Sequence, residues 1–470
     1  MLRMRMNDFA RDELGAGTIM GLLWFMLLVG ITGMAVDITN GLREQTMLQA
    51  TADASALAAV IDLPDEAVAV ATAVAYSATN MATDDYGTVL IEADVDIGNW
   101  DASTHIFSTG ALVPDAVRVR TRRSLENENP VPVNFLRIIG LMNWNVTTYA
   151  IAQRFIPECL LNDGLVARGI VDIVARNGFF NRICIHGQQG VIERQHNTHE
   201  LGVTISTPDM YNDIVVPAGD YESNPGLPEA MREMSLDPRM VNHVDEIMVD
   251  MLAMENYVTP DYIDTSATSG TSLPSVEVKD KNWDFSDAEA GHIYHIQCSP
   301  MQQVGIPQGT ILTGVVIISD CVIGVGANVF MSDVVLASLS GGNPGGNDDN
   351  GNAGGNGRGG TTSGHGGAGV EFANITFAAN VQLGTSDDCQ PGGGVQIFSN
   401  ASVHFSSSML INGLQIVVAG DVDLGAQAQG INGINVQAGG DITLASNNMF
   451  GICSGGAPNL LTVNYYRLVF

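Results

Sequence analysis

An uncharged apolar run lies near the N-terminus of the chain. Residues 14–36, LGAGTIMGLLWFMLLVGITGMAV, carry no charge, and about 20 such residues cross a bilayer as a helix. Arginines precede the run and the first charge after it is Asp37. Basic residues favour the cytoplasmic side of a membrane. The pattern predicts a cytoplasmic tail over 1–13, a single span over 14–36, and the rest of the chain outside the cytoplasm.

The helix is expected to continue beyond the apolar run. The following residues are rich in Ala, Leu, Gln and Glu, and no proline occurs before Pro64, so a helical extension is predicted over 37–82. A cleavable signal peptide is the alternative, but its apolar core would be shorter and would end at a small-residue cleavage site. We therefore expect a retained anchor, represented by Leu14, Gly17, Gly21, Trp24 and Val36.

Small residues recur along this helix. Gly17 and Gly21 form a GxxxG pair, and Ala50, Ala54 and Ala58 repeat at four-residue spacing. Residues four apart share one helix face, and small ones let a second helix approach closely. The row predicts packing against other helices, including self-association. The alternative is that glycine and alanine are simply common in such segments.

Residues 83–158 form a predicted small α+β domain. It contains an extended run at 89–97, a strand at 116–121, a short helix at 133–139 and a returning strand at 146–152. Alternating arginines on a strand indicate a solvated or ion-paired face rather than a phosphate site. These are Arg118, Arg120, Arg122 and Arg123.

Short apolar strands separated by glycine and asparagine turns fill residues 159–470, with a predicted helical insertion at 227–254. Residues 411–424, INGLQIVVAGDVDL, recur 20 positions later at 431–444. A repeat of this length with two short strands fits successive turns of a parallel β-helix. We therefore predict a mainly β domain, a right-handed parallel β-helix or solenoid, with a β-sandwich as the alternative.

A glycine-rich stretch at 340–369 interrupts the predicted solenoid. It has almost no apolar side chain and is predicted to be a flexible loop. Asp348 and Asp349 loosely suggest calcium, but the glycine-aspartate repeat of calcium-binding β-helices is missing.

Charge and cysteine content extend this picture. The chain has 51 acidic and 20 basic residues and a net charge of -31, which indicates a self-repelling exterior and disfavours nucleic acid as a partner. Six cysteines all follow the apolar run. In an oxidising compartment they are expected to form disulfides, with the pairing open, whereas buried free thiols are the alternative. They are Cys159, Cys184, Cys298, Cys321, Cys389 and Cys453.

Candidate catalytic groups are weak. His196, His199 and Glu200 occur in the wrong order for a zinc hydrolase, and His292 and His295 are predicted to point to opposite sides of a strand. No enzyme, cofactor or metal is expected. The alternative function is a membrane-tethered polysaccharide-binding protein or lyase of β-helix type, which rests on fold analogy. Acidic and basic side chains converging on one flank would favour it.

The N-terminal third resembles a known family. The string FARDELG at 9–15, the end of the apolar run at Ala35-Val-Asp37, and LQATADASALA at 48–58 resemble the TadE/TadG-like region of TadG-like Flp (Tad) pilus assembly proteins. The likeness extends over 95–140. It implies a single-pass protein of the bacterial inner membrane that supports pilus biogenesis, anchoring or surface adhesion. Its implied partners are pilins or other assembly proteins, and no enzyme is implied.

The chain departs from the family pattern at the metal motif. Many relatives carry a von Willebrand A domain with a DxSxS metal motif, but the nearest string here, DTSAT at 264–268, does not follow a strand-forming run. Metal-dependent adhesion is therefore not expected. Met20 stands five residues after Gly15, where a prepilin-peptidase site would have glutamate, so we predict no such processing.

Overall fold

The computed structural model describes residues 14–110, 112–161, 164–219, 221–263, 276–299, 302–340, 373–386, 392–426, 430–451 and 461–469. These residues form two compact units. The N-terminal unit comprises Met1–Phe155 together with Asn464–Phe470, and the β unit comprises Ile156–Val463. The predicted tail, the 264–268 string, and the glycine-rich loop beyond residue 340 lie outside the described residues. The predicted long N-terminal helix and mainly β C-terminal region are confirmed.

Helix α1, Leu14–Ile61, dominates the N-terminal unit. No proline interrupts it, and it stops just before Pro64, which cannot continue a helix. Helix α2, Glu66–Asn80, begins after Asp65, whose carboxylate accepts a hydrogen bond from the N–H of Val68. This N-cap satisfies one of the free donors of the first turn. Helix α3, Thr83–Tyr86, follows.

The helices pack on a mainly antiparallel sheet. Its strands in the first part of the chain are β1 Val95–Asp101, β2 Ile106–Thr109, β3 Ala116–Arg123 and β6 Val146–Phe155, with a separate pair formed by β4 Val131–Pro132 and β5 Asn143–Trp144. The order is β2-β1-β3-β6, and the C-terminal strand Tyr465–Leu468 adds to β6 with Tyr465 opposite Phe155. The β unit is therefore inserted between two neighbouring strands of this sheet.

Strand β3 shows how alternation divides the sheet into two faces. Val117 and Val119 are buried in the core against the helices, whereas Arg118 and Arg120 project from the other face, since successive strand side chains point opposite ways. Arg118 lies 2.8 Å from Asp96, and Arg120 lies 2.8 Å from a carboxylate oxygen of Asp94. The predicted ion-paired face is present in the structure.

The described part of the β unit consists of short parallel strands, three α-helices and several 3-10 turns. The helices are α4 Glu158–Leu161, α5 Leu227–Ala230 and α6 Val244–Leu252. The strands are β7 Gly164–Ala167, β8 Ile170–Ile173, β9 Gly178–Phe179, β10 Cys184–Gly187, β11 Gly190–Glu193, β12 Thr198–His199, β13 Thr204–Thr207, β14 Ile214–Val215, β15 Met231–Glu233, β16 Glu277–Asp280, β17 Ile293–Gln297, β18 Gln303–Ile306, β19 Ile311–Ser319, β20 Val322–Val325, β21 Phe330–Ser338, β22 Ala373–Phe377, β23 Gln382–Leu383, β24 Val395–Ser399, β25 Ser402–Phe405, β26 Leu410–Val418, β27 Val422–Leu424, β28 Ile431–Ala438, β29 Ile442–Leu444 and β30 Met449–Gly451.

The 20-residue repeat stacks on itself in register. Strand β26 pairs in parallel with β28, with Ile411 opposite Ile431, and β27 pairs with β29, with Val422 opposite Ile442. The two strands of one repeat thus enter different sheets, one of 15 and one of nine described strands. Apolar residues of both sheets form one buried core. Each repeat therefore contributes a layer that is buried by its neighbours.

The order of layers along the stack differs from their order in sequence. Strand β28 pairs with β26 on one side and with β7 on the other, with Val436 opposite Leu165. Strands β10, β13 and β15 continue beyond β7, whereas β21, β19, β17 and β16 continue beyond β26. The chain thus enters the stack in its middle, builds one end, crosses to the other end, and builds back towards its entry point.

The interval 227–254 is only partly helical. It contains α5, then strand β15, then a 3-10 helix Arg239–His243 that runs into α6. Buried residues of α6, such as Ile247 and Met248, pack with Val335 and Phe398 of the larger sheet. These two strand residues face away from the main core, so α6 covers the outer surface of the sheet.

A ladder of asparagines links successive layers. The N–H of Asn177 donates to Oδ1 of Asn197 at 2.7 Å, and the N–H of Asn197 donates to Oδ1 of Asn224 at 2.8 Å. The N–H of Asn448 donates to Oδ1 of Asn177 at 3.0 Å. The ladder satisfies backbone donors at buried turns, where an unpaired donor would cost about 1–3 kcal/mol.

The Asn-Gly dipeptides of the repeat mark the bend within each long strand. Gly413 and Gly433 have φ values of 73° and 65°, and the parallel pairing skips both positions. This left-handed conformation costs a residue with a Cβ about 1–2 kcal/mol. These glycines therefore allow the long strand of each layer to bend between its two paired segments.

Replacing Gly433 by alanine is expected to destabilise the chain by about 1–2 kcal/mol because alanine must adopt a left-handed conformation. Gly305→Ala is the matched control, since Gly305 lies in β18 with open space around its Cβ position and no positive φ. Thermal unfolding of the detergent-solubilised full chain, followed by circular dichroism, measures both. Equal midpoints for the two variants would contradict the proposed role of the bend.

Candidate functional site

Helix α1 is exposed on all sides between residues 18 and 32. Trp24 and Val36 of the predicted anchor are 56% and 46% exposed, and nothing lies near the Cβ position of Gly21. Leu14 and Gly17 lie in the helix, but their side chains lie outside the described part of the structure. The described helix is long and apolar enough to cross a membrane. A helix that is apolar and exposed all round is suited to a lipid environment.

A buried stripe begins at Gly33. Gly33, Asp37, Gly41, Glu44 and Leu48 are all buried, and their spacing of three or four residues places them on one face of the helix. This face contacts the loop and strands of the N-terminal unit. The helix is thus exposed on every side before Gly33 and packed along one face from Gly33 onwards.

Aromatic side chains rest on the two glycines of the stripe. A Cβ on Gly33 would lie 2.7 Å from the side chain of Phe135, and a Cβ on Gly41 would overlap the ring of Trp144. Any larger residue at either position would push these rings away. The glycines therefore allow the hairpin region around β4 and β5 to lie directly against the helix.

Between the two glycines, the Asp37 carboxylate accepts three backbone hydrogen bonds. One oxygen accepts from Asn134 at 2.9 Å, and the other accepts from Phe135 at 2.8 Å and Leu136 at 2.7 Å. These N–H groups lie at the start of the 3-10 helix Leu136–Ile139, where no helical partner exists for them. The charged acceptor strengthens each bond. We call the segment Phe135–Met142 the junction loop.

A buried ion pair forms a second connection between α1 and the sheet. Arg123 donates to the Glu44 carboxylate at 2.6 Å and to the carbonyl oxygen of Asn129 at 3.1 Å. Removing one partner of a buried pair typically costs about 3–5 kcal/mol. Nearby, the hydroxyl of Thr121 donates to the carbonyl of Leu48 at 2.9 Å. Side chains and backbone together therefore fix the rotation of the helix against the sheet.

The alanines predicted to pack against other helices lie beside the buried stripe. Ala50 is exposed, and Ala54 and Ala58 are half-buried. Packing within the N-terminal unit uses the neighbouring alanines instead, at Ala52, Ala56 and Ala59. A contact of the predicted row with another helix stays a prediction.

Two disulfides join cysteines of the β unit, Cys159 with Cys184 and Cys298 with Cys321. The remaining predicted candidates, Cys389 and Cys453, lie outside the described residues. The alternative of free thiols is wrong for the four described cysteines. Disulfides of this kind are typical of exported proteins.

The histidine candidates are dispersed. His196 is exposed, whereas His199 is buried, stacks on Phe179 with ring centres 5.3 Å apart, and lies 3.6 Å from Glu193. The two imidazoles of this string therefore do not share a site.

The other histidine pair is divided between two carboxylates. His292 hydrogen-bonds Glu277 at 2.8 Å, and His295 hydrogen-bonds Asp320 at 2.8 Å. Each imidazole thus has an acidic partner of its own.

Polar residues form a row along the smaller sheet. The row contains Asp172, Thr443, Asp423, His404 and Thr376, each opposite the next in register. A depression of about 320 Å³ lies at one end, beside Thr376 and His404.

The charged members of this row are engaged in separate pairs. Arg194 binds Asp172 at 2.7 Å, and this hydrogen bond raises the pKa of the arginine. His404 lies 3.5 Å from Asp423. The charges are therefore paired along the row rather than directed at one point.

Sequence reasoning missed the central contacts of the junction. Asp37 was noted only as the first charge after the apolar run, and Glu44 was not singled out. Arg123 was grouped with the exposed arginines of β3, but it pairs with Glu44 on the buried side. A usable signal was the alternation along β3, which places Arg123 on the same face as the buried Val117 and Val119.

A long helix with an exposed apolar run, followed by a part bound to a folded unit, fits a single-pass membrane anchor. Residues 15–71 match the family described as Flp pilus-assembly TadE/G-like, and residues 49–152 match the family described as Tad-like Flp pilus-assembly. The resemblance to TadG-like Tad pilus assembly proteins at the N-terminus is confirmed.

The remainder of the chain matches a further family. This family, described as a domain of unknown function (DUF7867), matches residues 164–357 and 362–454, which is more than half of the chain. The chain belongs to this family. No curated protein and no solved structure matches the chain.

Replacing Asp37 by asparagine is expected to release the junction loop, because an amide offers one acceptor oxygen and places an NH2 group against N–H donors. Amide hydrogens of Phe135 and Leu136 should exchange about tenfold faster or more, since hydrogen bonds to a charged group are lost. Hydrogen-exchange mass spectrometry of the full chain in nanodiscs measures this change.

Asp53→Asn serves as the control for this substitution. Asp53 lies on the same helix and accepts a hydrogen bond from the side chain of Gln49, which asparagine can also accept. Unchanged exchange in the Asp37 variant would show that the three hydrogen bonds do not hold the loop.

Proposed function

We propose that this protein is a single-pass anchored component of Tad/Flp pilus assembly, with its N-terminus in the cytoplasm and the chain beyond residue 36 outside. The observation that carries the proposal is the division of α1 at Gly33. The preceding half has exposed apolar side chains all round, and the following half is bound to a folded unit of the Tad-like family. Such a helix displays its domain at a fixed distance from the membrane.

The orientation rests on charge and redox chemistry. Arginines precede the apolar run and an acidic chain follows it, which favours a cytoplasmic N-terminus. The two disulfides of the β unit are stable in an oxidising compartment. In a bacterium with a Tad system, these features support an anchor in the inner membrane and a body in the periplasm or at the cell surface.

We further propose that the β unit is a right-handed parallel β-helix that supports pilus anchoring or adhesion. The in-register 20-residue repeat, the asparagine ladder and the shared core support this architecture. The paired charges along its flank do not favour the alternative of a polysaccharide lyase.

Partners are proposed among pilins and other assembly proteins. The row Ala50, Ala54 and Ala58 offers a small-residue surface on α1 for a partner helix. Self-association through the same row is the homotypic form of this contact.

The substitutions Leu23→Arg and Leu27→Arg together are expected to abolish stable membrane insertion. Each places a charge in the apolar run at a cost of about 2.5–3.5 kcal/mol. Leu42→Arg is the matched control, because Leu42 and Leu27 are exposed on α1 to similar degrees, 57% and 51%. The measurement is the fraction of full-length chain that stays in membranes after alkaline carbonate extraction. Equal retention of both variants would rule out the span.

Deletion of the gene is expected to abolish surface pili, counted by electron microscopy. The wild-type chain should restore them. A chain carrying a cleavable signal peptide in place of residues 1–36 should be exported without restoring them, because its body is no longer anchored. Normal piliation of the deletion strain would overturn the assembly function, and full restoration by the soluble form would overturn the requirement for an anchor.

A further inference from the structure

The junction loop exposes a set of large apolar side chains. Ile138 is 87% exposed and Ile139 is 75% exposed, and Phe135, Leu141 and Met142 are exposed beside them. Exposed apolar clusters of this kind mark interaction surfaces. The question is which surface covers this one.

The junction loop lies beside the end of the apolar run of α1. The N–H of Phe135 binds Asp37, and its side chain meets the Cβ position of Gly33 one helical turn earlier. Gly33 lies within the apolar run 14–36, about 4–5 Å before its end at a rise of 1.5 Å per residue. Phe135, the first residue of the junction loop, is therefore level with the last turn of the proposed span.

The charges of the junction loop indicate which kind of surface covers it. The chain carries a net charge of -31, yet Arg137 is the only charged residue between Asn129 and Gln153. The Asp37 carboxylate beside the loop is occupied by three N–H donors. The surface of the loop is thus apolar with one exposed cation, which matches the boundary between acyl chains and anionic headgroups.

We propose that the junction loop is a second membrane-contacting element, and that Ile138, Ile139 and Met142 insert into the interfacial region of the bilayer that α1 crosses. Arg137 then lies at the level of the lipid phosphates. This inference rests on the proposed span. The occupant is lipid, because the loop continues the apolar exposed surface of α1 at the same level.

Such a contact restrains the anchor at two points. A lone helix can slide and rotate in a bilayer, whereas a helix with a loop fixed to its side through Asp37 has a preferred depth and rotation. The Glu44–Arg123 pair transmits that rotation to the sheet. The bilayer thereby sets the orientation of the N-terminal unit.

Photocrosslinking of the full chain tests the inference. Benzoylphenylalanine is placed singly at Ile138, Ile139, Trp24 or Ile106, in vesicles of phosphatidylethanolamine and alkyne-tagged phosphatidylglycerol. Trp24 tests the span itself. Ile106 is the matched control, an apolar residue of β2 in the same unit that is 59% exposed. Circular dichroism verifies that each variant is folded.

Lipid adducts at Trp24 and at Ile138 or Ile139, several-fold above those at Ile106, are the expected result. Adducts at Trp24 but none above control at both loop positions would overturn the inference and leave the anchor in place. Protein adducts at the loop without lipid adducts would overturn it in favour of a protein partner or a second copy. Absence of adducts at Trp24 would remove the span and the inference together.

Discussion

The three hydrogen bonds from Asn134, Phe135 and Leu136 to the Asp37 carboxylate set the boundary on which the N-terminal unit depends. The 48-residue helix α1 runs without a break from its apolar run into the folded unit. A carboxylate buried against backbone donors marks the boundary between the two, since it cannot move into hydrocarbon without losing its partners. The glycines on either side bring aromatic rings into contact at the same place.

The β unit depends on a different constraint, the parallel register between its successive layers. Residues 20 positions apart stack directly in the last two layers, and the turn asparagines repeat the same interval between Asn177 and Asn197. Each layer offers its edge to the next, so register errors would disturb every later layer. Left-handed glycines and the asparagine ladder support this register at the bends and turns.

Much of this organisation was accessible from the sequence, because it is encoded locally. The apolar run, the absence of proline before Pro64, and the repeat at 411–444 each depend on neighbouring residues. The pairing of β7 with β28 was not accessible, because it joins segments at opposite ends of the β unit without shared motif or spacing. The same holds for Arg123, whose partner Glu44 lies on a distant helix. Alternation along β3 separates Arg123 from Arg118, Arg120 and Arg122, but it does not identify the helix residue that Arg123 contacts.

The insertion of the β unit between two adjacent strands has a consequence for biogenesis. Strand β6 pairs with β3 on one side and with Tyr465–Leu468 on the other. During synthesis from the N-terminus, α1 and the first four strands of this sheet emerge long before that final strand. One edge of β6 therefore stays open while the whole stack is translated. The sheet is closed only when the final strand pairs with β6. A truncated chain without this strand keeps an unpaired edge, which distinguishes it from a chain that has the strand.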